Sequence, residues 1–127
     1  MSGSKAYSQT VNKVHDWTPL INAIIEVESK GDPNAVSGKS VGILQITPIL
    51  VKQCNNILKT KKSSKSYTLN SRKSITKSKE MFILIQEYYN KEHNLEKAIR
   101  LWNGGPNYSI KKTQKYFRKV MKYYNNF

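Results

Sequence analysis

The sequence predicts a mainly α, single-domain protein, and three observations carry that prediction. Its 127 residues suit one domain of ordinary size. Apolar residues recur at helical spacing in several separate runs, most of them bounded by Thr-Pro, Gly or Asn signals. No alternating segment is long enough to build a substantial sheet.

Residues 1–15 are polar and weakly periodic, and read as an arm preceding a domain at 16–127. Thr18-Pro19 reads as an N-cap followed by proline at the first helical position. The helix it opens is dense in Leu20, Ile21, Ala23, Ile24, Ile25 and Val27, and should stop near Ser29, before Gly31-Asp32-Pro33. After a loop carrying Gly38 and Gly42, Thr47-Pro48 repeats the start signal for a helix through Val51, Cys54, Ile57 and Leu58. Lys59 to Lys79 then turns to Lys, Ser and Thr, with eight basic residues and no acidic one, and reads mostly as a solvated, mobile loop, with 59–73 inserted into the domain. Helical spacing returns near Ser74 and runs through Met81, Phe82, Ile85 and Tyr89. A shorter helix from Leu95 to Trp102 meets Asn103-Gly104-Gly105-Pro106, and a basic helix closes the chain from about Ile110 to Tyr124.

Composition narrows the function. Twenty-two Lys and Arg against eight Asp and Glu give +14, which points to a polyanionic partner or surface. No apolar run is long enough to span a membrane, and Met1 to Thr10 lacks the apolar core of a signal peptide. Cys54 is the single cysteine, and His15 and His93 stand far apart, so neither a disulfide nor a zinc site is expected, and no cofactor. Gly38-Lys39-Ser40 looks like the tail of a phosphate-binding loop, but Pro33 stands where that loop needs its first glycine.

Only eight carboxylates are available for acid/base work: Asp16, Glu26, Glu28, Asp32, Glu80, Glu87, Glu92 and Glu96. Glu26 and Glu28 differ by about 200° around a helix and cannot face one substrate together. Glu28 lies near a helix C-terminus, where the dipole disfavours negative charge; beside an apolar cleft its pKa would rise into the range of a neutral-pH proton donor. Position alone favours the plainer reading, a surface glutamate at a helix end.

Glu28-Ser29, then Asn34-Ala35-Val36-Ser37, Gly42-Ile43-Leu44-Gln45-Ile46-Thr47-Pro48, Trp102-Asn103-Gly104-Gly105-Pro106 and Thr113-Gln114-Lys115-Tyr116 resemble, in order and spacing, the motifs of the lytic transglycosylase (SLT-type) domain of the lysozyme-like superfamily. The resemblance spans about Leu20 to Val120. It implies a lysozyme-like fold with a cleft between helical lobes, and peptidoglycan glycan strands as substrate. Residue by residue, it makes Glu28 the catalytic acid/base and Ser29 a neighbour that orients a substrate group. Gln45 and Asn103 become sugar-binding amides, and Tyr116 a cleft residue within reach of Glu28 or the sugar. Gly42 and Gly104 would let backbone approach the glycan. This sequence departs from the family pattern at Leu44, where methionine is usual, at Trp102, where tyrosine is usual, and at Lys112, often glutamate.

The same resemblance implies a reaction with one carboxylate: cleavage of the MurNAc-β-1,4-GlcNAc bond with formation of a 1,6-anhydromuramyl end. A hydrolytic muramidase is the near alternative and would need a second carboxylate, for which Asp32 is the candidate. From another class comes a nucleic-acid-binding module, suggested by Lys111, Lys112, Lys115, Arg118, Lys119 and Lys122 interleaved with tyrosines, although no motif specific to nucleic acid accompanies them. A noncatalytic wall-binding remnant of the same fold is a third reading. The expected setting is the cell wall, reached in the periplasm, outside the cell or from a phage virion, with the protein acting as a monomer and drawn to anionic envelope polymers.

Overall fold

In the computed structural model, residues 14–126 are described; most of the polar arm and Phe127 lie outside them. Helix α1 (Thr18–Glu28) buries Leu20, Ile21, Ala23 and Ile24 on one side, following the apolar spacing of the sequence. Its start differs by one residue from the Thr-Pro reading. Trp17 occupies the cap position and Thr18 is already helical, because the Asp16 carboxylate accepts the Thr18 N–H at 3.0 Å and takes the capping role one turn position earlier. Lys30, at φ 55°, and Gly31, at φ 89°, turn the chain away after the helix.

A two-residue hairpin follows, strand β1 (Val36–Ser37) antiparallel to β2 (Ser40–Val41), with Val36 opposite Val41. Helix α2 (Pro48–Thr60) begins as the sequence predicts: the Thr47 hydroxyl accepts the Leu50 N–H at 3.2 Å, and proline follows it. Helix α3 (Ile75–Tyr89) is capped by Ser74, α4 (Leu95–Gly104) by Asn94, and α5 (Ile110–Tyr124) by Ser109, each side chain accepting a first-turn N–H.

The core gathers around α1 and α3. Ile24, Leu44, Met81, Phe82, Ile99 and Val120 are essentially inaccessible to solvent, and the rings of Trp17, Phe82 and Trp102 follow one another at centroid distances of 5.9 and 4.9 Å. Cys54 is fully buried on α2, and its thiol is pushed up to about 12 by that burial. Buried polar groups are satisfied locally. Gln86 donates to the Ala98 carbonyl at 3.1 Å, while Asn90 donates to Gln86 and to the Asn94 carbonyl, fixing the turn from α3 to α4. Arg100, 3% exposed, donates to the Ile110 carbonyl, the Thr113 hydroxyl and the Gln114 amide, and so locks the first turn of α5 onto α4.

The Lys-rich segment is built differently from the solvated loop expected of it. Residues 61–68 carry no helix or strand, but Tyr67 is buried, its backbone paired in both directions with the Asn55 side chain at 2.8 and 2.9 Å. Leu69–Lys73 then form a 3-10 turn. From this turn the Arg72 guanidinium donates to the carbonyls of Leu69, Lys39 and Ile46, bracing the hairpin loop against the start of α3. The lysines point outward while a few anchors hold the backbone, which is why composition alone reads as loop.

Candidate active site

A cleft of about 420 Å³ opens between the end of α1, the hairpin loop, α2 and the α4–α5 turn. Its wall includes Glu28, Gln45, Gln53, Asn103 and Asn107 as polar groups, with Ile49, Leu50, Ile85, Tyr89, Leu101 and Trp102 as apolar ones. The mixture of amides, aromatic rings and aliphatic faces suits a ligand that presents both hydroxyl or amide groups and apolar ring faces. Among the eight acidic residues of the chain, Glu28 is the one on this wall, and among the described residues no Lys or Arg lies on it.

Glu28 reaches the cleft because α1 ends there. Burial raises its carboxyl pKa to about 7, and a hydrogen bond from the Tyr116 hydroxyl to Oε2, 2.9 Å long, partly opposes that rise. Tyr116 is itself held well above the ordinary tyrosine value, by burial first and then by the adjacent Glu28 charge, so it remains a donor. Replacing Tyr116 by Phe removes an interaction that favours the ionised carboxylate. The Glu28 pKa, followed by NMR titration, is expected to move upward in Tyr116→Phe; an unchanged titration would mean that the bond does not form in solution.

The raised carboxyl also has a stability consequence. Below pH 4.5 the proton is held in both folded and unfolded chains, and the folded state carries no penalty. As pH rises through 4.5 to about 7 the unfolded chain ionises first, so stability falls, and above pH 7 the full cost is present. Glu28→Gln is therefore expected to be more stable than the parent by about 2–3 kcal/mol at pH 8, with the gain gone near pH 4. Urea unfolding at the two pH values checks this.

The other site residues expected from the sequence divide into two groups. Gln45 and Asn103 are on the cleft wall, and so is Gly104. Gln45 adopts φ 50°, and its amide nitrogen donates to the carbonyls of Ala35 at 3.2 Å and Gly42 at 3.0 Å, which leaves its oxygen as the group available to a ligand. Ser29, Gly42 and Tyr116 are not on the lining. The Ser29 hydroxyl donates to the Ile43 carbonyl at 2.8 Å and accepts the Gly31 N–H, so it ties the end of α1 to the glutamine-bearing turn. Tyr116 lies behind Glu28 and reaches it from α5.

Both glycines serve internal contacts. A Cβ on Gly42, at φ 89°, would meet the Arg72 carbonyl oxygen at 1.9 Å, so the close approach is to the chain's own backbone. A Cβ on Gly104 would lie 2.7 Å from the Tyr108 Cβ, where α4 turns into α5. The Trp102 indole donates to the Leu44 carbonyl at 3.3 Å and joins the two turns that carry Asn103 and Gln45.

The model of the transglycosylase SLT domain family matches residues 6–126, nearly the whole chain. The chain belongs to that family. Its members are glycan-cleaving enzymes of lysozyme-like fold directed at cell-wall peptidoglycan, and the mainly helical domain described above accords with that fold. No curated protein and no solved structure matches the chain.

Gln53, Ile49, Tyr89 and Asn107 are cleft residues of this SLT domain that the sequence reading missed. Ile49 and Gln53 are four residues apart on α2 and share a face, a signal available in the sequence once the cleft side of α2 is known. Asn107 follows the Gly-Gly-Pro turn directly, and Tyr89 reads in the sequence as part of the apolar stripe of α3. Among the described residues no three His, Cys, Asp or Glu side chains converge as metal ligands.

Proposed function

We propose that this SLT domain is a peptidoglycan lytic transglycosylase, cleaving the MurNAc-β-1,4-GlcNAc bond with Glu28 as its only acid/base. The observation that carries the reading is a single carboxyl group on the cleft wall, with a pKa raised to about 7 and a tyrosine hydroxyl hydrogen-bonded to one of its oxygens. A carboxyl group in that condition holds its proton near neutral pH and can give it to a leaving oxygen.

Protonation of the glycosidic oxygen by Glu28 breaks the bond to C1 of the muramyl sugar, while the carbonyl oxygen of its N-acetyl group closes on C1. The resulting Glu28 carboxylate removes the proton from the 6-hydroxyl. That oxygen attacks C1, displaces the acetamido oxygen and forms the 1,6-anhydro ring, so Glu28 ends protonated and no water is consumed. The Gln45 oxygen and the Asn103 amide are the groups we assign to holding sugar hydroxyl and acetamido groups during these steps. The apolar side chains of Ile49, Tyr89 and Trp102 supply surface for sugar ring faces.

Hydrolysis by two carboxylates is the less supported outcome. Asp32 is exposed, accepts the Asn34 N–H at 2.8 Å within its own turn and is not on the cleft wall. Mass spectrometry of muropeptides released from purified peptidoglycan distinguishes the two reactions. Ends lighter by one water, absent from a digest with Glu28→Gln, are expected; reducing ends would assign a muramidase. No cleavage of several wall types by folded protein would leave a wall-binding domain.

A further inference from the structure

Helix α5 carries six cations, Lys111, Lys112, Lys115, Arg118, Lys119 and Lys122, and every one is exposed. At 100° per residue they fall within an arc of about 120°, opposite the buried Thr113 and Val120, and extend about 16 Å along the axis. The helix contains no Asp or Glu, and none of the six forms an ion pair with a described carboxylate. Both cations of α4 are paired, Lys97 with Glu92 and Arg100 with Glu96, and in the Lys-rich segment, among the described residues, Lys65 alone is paired, with Glu80. The cleft wall, in contrast, has no basic residue among the described residues. Charge for holding a polyanion and groups for glycan chemistry are thus on separate surfaces.

The kind of polyanion follows from the rings. Tyr116, Phe117 and Tyr124 turn inward against the core, and Tyr123, 37% exposed, is the one ring of α5 left at the surface. A row of exposed rings for base stacking, the usual partner of a basic groove in single-strand nucleic-acid binding, is not built here. We propose that the outer face of α5 binds a phosphodiester polymer of the cell envelope, holding the domain to the wall while the cleft remains free for glycan. The choice of an envelope polymer rests on the wall-directed reading of the domain; the charged face itself does not.

The test measures binding of the intact chain to a synthetic poly(glycerol phosphate) in the absence of peptidoglycan, over a range of salt concentrations. Combining Lys111→Gln, Lys115→Gln, Arg118→Gln and Lys122→Gln is expected to weaken binding at low salt by at least about tenfold and to make the log–log salt slope shallower by about 3. A control with Lys39→Gln, Lys52→Gln, Lys59→Gln and Lys61→Gln removes the same charge elsewhere and should lose much less. Cleavage of a soluble, phosphate-free glycan should be equal in parent and α5 variant. Equal losses in the two variants would mean net charge and not the α5 face, and would overturn the proposal, as would unchanged binding in the α5 variant. Tighter binding of single-stranded DNA of matched charge, by tenfold or more, would overturn it in favour of a nucleic-acid surface. A chain that binds the polymer through α5 but cleaves no glycan would overturn the cleavage reading and leave this one standing.

Discussion

Glu28→Gln is expected to lower glycan cleavage by about 10²–10⁴-fold while leaving glycan binding nearly unchanged, since general acid–base catalysis contributes on that scale. Glutamine preserves the size and the hydrogen-bond acceptor facing Tyr116 but cannot donate an acidic proton to the glycosidic oxygen. The parent's rate should decline as pH rises through about 7, where Glu28 loses the proton it must give. If the variant kept a tenth or more of the parent rate, Glu28 would not be the proton donor, and the carboxylates outside the cleft would need to be tested in turn. The same variant is expected to gain stability at pH 8. Lost activity together with raised stability separates a catalytic carboxyl from a structural one, because a structural ion-pair partner would lose both.

Gly42→Ala is expected to cost about 3–5 kcal/mol, a large share of the roughly 5–15 kcal/mol that holds an ordinary domain folded. Two effects add. The backbone at φ 89° strains any residue with a Cβ, and that Cβ would lie 1.9 Å from the Arg72 carbonyl oxygen, a backbone atom held by the 3-10 turn and by the Ser78 hydroxyl at 3.1 Å. Relief would require the hairpin loop and the 69–73 turn to separate, breaking the Arg72 contacts to Lys39 and Ile46. Thermal unfolding followed by circular dichroism checks this. Gly38→Ala is the comparison: its φ is also positive, at 60°, but the added Cβ meets nothing within 4 Å, so strain alone should make it much the milder change.

These two residues also show what kind of information the sequence held. That Glu28 lines the cleft is legible through its place in an ordered set of motifs, which its place at a helix end alone would not tell. Gly42 was legible as an obligatory glycine, but not for its reason: the approaching backbone belongs to a segment thirty residues later whose Lys, Ser and Thr content conceals its anchors. The hydrogen bond from the Ser29 hydroxyl to the Ile43 carbonyl is likewise not legible, since nothing local in the sequence points to it. Helix starts are legible where the cap is the adjacent side chain, as at Thr47, and shift by one residue at α1, where Asp16 reaches across Trp17. Cleft-wall residues such as Gln53 and Asn107 depend on how helices and turns pack, and periodicity does not encode that.

The burial of Cys54 gives the protein an internal clock. The chain has one thiol, placed in the centre of the core and held protonated by its surroundings, so a thiol reagent added to the folded protein finds no other sulfhydryl to modify. Labelling must wait for α2 to lift from α3, and its rate therefore counts openings of the domain. Because neither Glu28 nor the α5 cations touch this thiol, the same chemical tag can time the opening of every variant considered above, without an introduced probe.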